Sequence, residues 1–128
     1  MSKSARLSLI TLALAFVLCS GVWIVESRTN FFRKIYDDVV LDNRNHYLSC
    51  DQLPSEDEVR QVMETHQDII EKIERINPGL VGTEIDTSVC SGKADILFWY
   101  GTHQDRLLIE SIIGDDTFYE VPYRLENH

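Results

Sequence analysis

The chain has 128 residues, 44% hydrophobic and 26% charged, with 21 acidic against 12 basic side chains and a formal net charge of −9. That length holds one domain with a single modest core. The acidity excludes a nucleic-acid surface, which needs clustered Lys and Arg against the phosphates, and opposes anionic lipid headgroups; it reads first as solubility, then as affinity for a basic partner or a cation.

Lys3 and Arg6 precede Leu7–Val25, nineteen residues without a charge. This is the n-region and h-region order of an export signal. Lipidation at Cys19 is opposed by the bulky Leu18 directly before it. Cleavage finds two weak small-residue pairs, Cys19 and Gly21 ahead of Val22, and Val25 and Ser27 ahead of Arg28. Ala13-Leu14-Ala15 falls too early, inside the apolar run. A membrane-spanning helix needs about 20 apolar residues, and Leu7–Val25 meets that length with Trp23 at the interface. A retained single-pass anchor is therefore expected ahead of a cleaved leader and a secreted domain.

The expected organisation is a short basic tail (1–6), an anchor or signal segment (7–25), a stalk or linker with helical character (26–48) and a small domain (49–128). Beyond the apolar run lie ten basic and all 21 acidic residues, a net charge of −11. The short amino-terminal tail favours a periplasmic or extracellular domain, although Arg28, Arg33 and Lys34 weaken the positive-inside asymmetry. Orientation decides the cysteine chemistry. Outside the cytoplasm, Cys50 and Cys90 pair as a disulfide; in the reverse orientation they are free thiols. No C-x-x-C spacing marks a redox centre. His46 and Cys50, four apart, lack the paired spacing of a structural zinc site.

Between Arg28 and Leu48, Phe32, Ile35, Tyr36, Val39 and Val40 recur at helical spacing, and Asp42-Asn43-Arg44-Asn45 reads as a break. Val39–Leu41 and His46–Leu48 are alternative short strands. Ser55 to Glu58, after Pro54, is a capping box. It opens a helix of about 22 residues with Val59, Val62, Met63, His66, Ile69, Ile70, Ile73 and Ile76 on one face. His66 is expected to pack at the edge of that stripe, and Asn77-Pro78-Gly79 ends it. Val81, Thr83, Ile85, Thr87 and Val89 alternate as a strand with one wet face. After the turn Cys90-Ser91-Gly92-Lys93, Ala94–Tyr100 reads as an inner strand. Thr102-His103-Gln104-Asp105 caps a second helix, with Leu108, Ile109, Ile112 and Ile113 inward and Gly114 as its stop. Phe118–Leu125 alternates as a last strand, which Pro122 either places at an edge or ends.

The order helix, strand, strand, helix, strand specifies an α+β fold, an αββαβ two-layer sandwich behind a transmembrane helix. Over Ser55–Leu125 this order resembles ferredoxin-like modules without their first strand, unless residues 39–48 supply it. The likeness is topological and transfers no activity.

No catalytic or nucleotide-binding motif is present, and no catalytic, metal or cofactor residue is assigned. The densest polar-aromatic cluster yields a candidate binding surface of Trp99, Tyr100, His103, Tyr119 and Tyr123. For Trp99 and Tyr100 packing comes first, and for His103 an exposed first-turn position. The leading expectation is a non-catalytic, membrane-anchored domain that binds a protein partner or serves a membrane complex, docking by strand addition near Tyr119–Tyr123. The alternatives are a small hydrolase using His103 with nearby carboxylates, and a cation-binding module around Asp115 and Asp116 with Glu120.

Overall fold

The computed structural model describes residues 3–128; residues 1–2 of the expected basic tail lie outside the described residues. The chain divides into two compact units, Met1–Ile35 and Tyr36–His128.

In the first unit, α1 (Lys3–Thr29) extends the expected apolar run at both ends. Over Ser4–Thr29 it is long and apolar enough to cross a membrane, and none of that surface is buried. The hydroxyls of Ser8, Thr11, Ser20, Ser27 and Thr29 donate to carbonyls three or four residues earlier. The helix thus satisfies its own polar groups, as a hydrocarbon surrounding requires. Asn30, in the left-handed region at φ 50°, interrupts the continuous stalk helix that the spacing suggests. A short α2 (Phe31–Ile35) follows, with the Glu26 carboxylate accepting the Phe32 N–H at 2.7 Å.

The second unit begins with a π-helical turn, Tyr36–Val40. Residues 39–48 form no strand. Their one ladder contact is the bridge between Arg44 and Leu125, with N–H to carbonyl distances of 2.8 and 2.9 Å. The expected capping box is formed: Ser55 N–H donates to Glu58 at 2.8 Å, and Glu58 N–H to the Ser55 hydroxyl at 3.3 Å. It opens α3 (Glu56–Thr65), but the single 22-residue helix expected from periodicity is broken at His66, where φ is −114° and ψ 33°. The helix restarts as α4 (Gln67–Glu74). The His66 ring stacks flat on Tyr119, with centroids 3.4 Å apart, so a tertiary contact accompanies the break in an otherwise helical pattern.

β1 (Gly82–Asp86) and β2 (Asp95–Tyr100) form the expected hairpin, with Gly82 opposite Trp99 and Asp86 opposite Asp95. β1 stops short of Val89 because the Asp86 carboxylate accepts the Ser88 N–H at 2.8 Å and its hydroxyl at 2.6 Å, turning the chain out of the ladder. α5 (His103–Ile113) is capped by Thr102, whose hydroxyl accepts the Asp105 N–H, and ends at Gly114 in the left-handed region. It crosses over to a strand parallel to β2.

That last region departs from expectation. Instead of one strand, residues 117–127 make a hairpin of β3 (Thr117–Phe118) and β4 (Val121–Asn127), turning on Tyr119 and Glu120. Both turn residues have positive φ, 49° and 71°, the two-residue geometry whose twist suits a hairpin. β4 is interior, since the sheet order is β1-β2-β4-β3. Pro122 is tolerated because pairing with β2 begins one residue later, at Tyr123. The sheet edges are β1 and β3.

The core lies between the sheet and the helices. Ile96, Phe98 and Tyr100 of β2 and Val121, Tyr123 and Leu125 of β4 pack with Val59, Ile73 and Ile109. Cys50 and Cys90 are joined as a disulfide, with Cα atoms 5.6 Å apart and a sequence separation of 40. It ties the segment ahead of α3 to the β1–β2 turn. Replacing both cysteines with alanine is expected to cost about 4 kcal/mol in the loop-entropy account, and a lowered thermal midpoint of the double variant against the oxidised chain checks it.

Candidate functional site

Two guanidinium groups, Arg106 buried and Arg124 partly buried, organise the polar chemistry of the domain. Arg124 sits on the sheet face away from the helices and is held by three carboxylates. Its Nε donates to Asp95 at 2.6 Å, Nη1 to Glu126 at 2.9 Å, and Nη2 to Asp86. Asp95 is 4% exposed, and His46 Nε2 reaches the same carboxylate at 2.7 Å. The Leu48 N–H donates to His46 Nδ1 at 3.0 Å, which leaves Nε2 as the ring nitrogen that donates to Asp95. Burial pushes the Asp95 carboxyl up. The hydrogen bonds from His46 and Arg124, with the Arg124 charge, outweigh that and hold it below the usual carboxylate range. Asp86 is lowered in the same way, burial being outweighed by its bonds from Ser88 and Arg124.

Arg106, at the second turn of α5, is almost fully buried. It donates to Asp42 at 2.9 Å, to Glu110 at 3.2 Å, and to Asp38. Asp42 is the hub of this cluster. Its carboxylate also lies 2.7 Å from His103 Nδ1 and accepts from Asn127 at 3.3 Å, while its carbonyl accepts the Tyr100 hydroxyl. Burial raises the Asp42 carboxyl, but the His103 and Arg106 hydrogen bonds win and lower it. Tyr100 is pushed well above the usual phenol range, by burial first and by the Asp42 charge second. Arg44 adds a third clamp, donating to the Tyr123 hydroxyl at 2.9 Å and to Asp116 at 2.5 Å.

The residues singled out from sequence are not brought together as one surface. Tyr100 and Tyr123 are 0% and 2% exposed and belong to the core, so they present nothing to a partner. Tyr119 is exposed at the hairpin tip. Trp99 is half-buried on the opposite sheet face, its indole lying where a side chain on Gly82 would have to go. His103 is the first residue of α5 with its side chain 65% exposed, and its carboxylate partner is Asp42. Asp115 and Asp116 follow the far end of that 11-residue helix, about 16 Å away, so the carboxylate beside His103 is Asp42 and not either of these. Asp116 pairs with Arg44, and Asp115 accepts the Asp116 N–H. Among the described residues no three His, Cys, Asp or Glu side chains are placed to hold a metal ion.

The free edge of β1 is the feature that periodicity concealed. Beside it, Glu71, Glu74 and Arg75 at the end of α4 and Pro78, Gly79, Val81, Gly82, Thr83 and Trp99 line an open groove of about 450 Å³. In the wall of that groove the Thr83 hydroxyl is buried with no hydrogen-bond partner among the described residues. The signal available in the sequence was Gly82, an interruption in a strand pattern that marks a close approach by another group.

No family model, characterised protein or solved structure matches the chain.

Two outcomes test the energetics of these sites. Arg124→Met leaves Asp86, Asp95 and Glu126 without their cation and is expected to destabilise the fold by about 3 kcal/mol near neutral pH. Because Asp86 and Asp95 are depressed in the folded state, their stabilisation is present above the ordinary carboxylate value of 3.8 and lost as pH falls through the lower folded values. Thermal midpoints measured from pH 7 to about 2 should therefore fall for the parent chain and converge with the variant. Thr83→Val removes an unsatisfied buried hydroxyl at constant shape, and a rise in midpoint worth about 1 kcal/mol is expected.

Proposed function

We propose that the chain is a non-catalytic binding module, anchored in a membrane by α1 with its disulfide-bonded domain on the periplasmic or extracellular side, and that it holds a protein partner or serves as an accessory subunit of a membrane complex. The supporting observation is the combination, in one short chain, of an apolar helix with no buried surface and a domain whose only two cysteines are bonded to each other. The first needs a non-aqueous surrounding, and the second persists in an oxidising compartment. The fold resembles ferredoxin-like modules in element order, a scaffold compatible with many functions. The docking element in this reading is β1. It is an edge strand of five residues without the lysine, proline or bulge that usually blunts such an edge.

An intact mass of the native protein, extracted from membranes without reductant, tests the anchoring. The expected value is that of the whole chain less two hydrogens. Loss of the residues through Gly21 or Ser27 would replace the anchor with a cleaved leader, and two free thiols in the domain would reverse the orientation. Peptides selected from a library against the full chain in lipid nanodiscs should slow hydrogen exchange at β1. Selected binders that leave β1 unprotected would remove strand addition from the reading.

A further inference from the structure

The groove beside β1 says more than that an edge is free. An edge strand alternates backbone N–H and C=O groups outward, and none of those on β1 has a partner outside the sheet among the described residues. A strand laid against it sends alternate side chains to the two faces of the sheet. On the helix side they meet Glu71 and Glu74, three apart on α4 and therefore on one helical face. Arg75 also lines the groove, but its guanidinium is matched by Glu71 at 2.7 Å, leaving Glu74 without an ionic partner among the described residues. On the other side they meet the Trp99 ring, which lies over Gly82 and offers an aromatic surface to the intervening side chains. Glu84, exposed in the middle of β1, adds another carboxylate.

A second copy of the chain fits this edge poorly. Pairing β1 with β1 sets Glu84 and Asp86 of one copy near the same residues of the other, and like charges across a ladder are destabilising. The charge of −11 carried by residues 26–128 opposes self-association further.

We propose that the groove between α4 and the free edge of β1 receives an extended segment of a partner protein bearing alternate lysine or arginine side chains, which adds to the sheet as a fifth strand. This rests on the binding-module reading and names the chemistry of its partner. The backbone ladder supplies adhesion that is indifferent to sequence, while Glu74 selects cationic side chains at every second position, all on the helix side, and the Trp99 ring meets the apolar side chains between them. Attraction to an acidic domain also speeds the encounter and weakens with salt.

The test uses the full chain in zwitterionic lipid nanodiscs with three capped eight-residue peptides. One alternates valine with lysine; the others carry serine or glutamate at the lysine positions. The lysine peptide is expected to bind most tightly, to protect β1 amides from exchange, and to weaken as salt rises. Glu74→Lys, at an accessible helix end, should leave the thermal midpoint unchanged. It should weaken the lysine peptide about tenfold, while the glutamate peptide gains. If the serine and lysine peptides both protect β1 with equal affinity, the charge preference is overturned and strand addition stands. If no peptide protects β1, both fall. A dimer of the chain that protects β1 without any peptide would also overturn the proposal, by naming a second copy as the occupant.

Discussion

A guanidinium removed from water has to be met by carboxylates, and the second unit of this chain meets that requirement on both faces of its sheet. Arg124 draws Asp86 from β1, Asp95 from β2 and Glu126 from its own strand, so one cation pins three neighbouring positions across the ladder. Arg106 draws Asp38 and Asp42 from the segment ahead of the sheet onto α5. These pairs add little to raw stability compared with an apolar core, because desolvation offsets most of their attraction. What they supply is register. The pairs span β1, β2 and β4 on one cation and hold Asp38 and Asp42 against α5 on the other.

That path explains how an irregular segment is held. Residues 36–54 make almost no ladder contacts, yet Asp42 bonds to His103, Arg106 and Asn127, Arg44 to Leu125, Tyr123 and Asp116, and His46 to Asp95. Asp42 and Tyr47 also adopt left-handed backbone, φ 54° and 56°, conformations that local preference alone opposes outside glycine. The disulfide at Cys50 closes the same segment from its other end. Polar side chains and one covalent bond do here what hydrophobic burial does in the core.

Much of the fold was legible because its signals were local. The capping box at Ser55, the alternation through Ile85, the apolar run to Tyr100 and the stop at Gly114 each specify backbone from adjacent residues. The failures have the opposite character. His66 gave no sign of a break, because its partner Tyr119 is 53 positions away. Tyr119 and Glu120 are unusual residues for a tight turn, so the hairpin reads as a single strand, and Pro122 suggests an edge where the two-residue β3 instead lies outside β4. The aromatic residues proposed as a surface were read from polarity along the chain, whereas Tyr100 and Tyr123 spend their hydroxyls on Asp42 and on Arg44 inside the fold. Arg106 and Arg124 look like ordinary surface charges until the carboxylates around them are seen.

The contact of Trp99 with Gly82 carries a further consequence. A methyl group at position 82 would overlap the indole ring, so any residue other than glycine there requires the Trp99 ring to move aside. The two positions face each other across the β1–β2 ladder and form a single unit of inheritance. Among descendants of this sequence, a side chain at 82 should come with a moved or smaller residue at 99, and the width of the groove beside β1 would change in the same step.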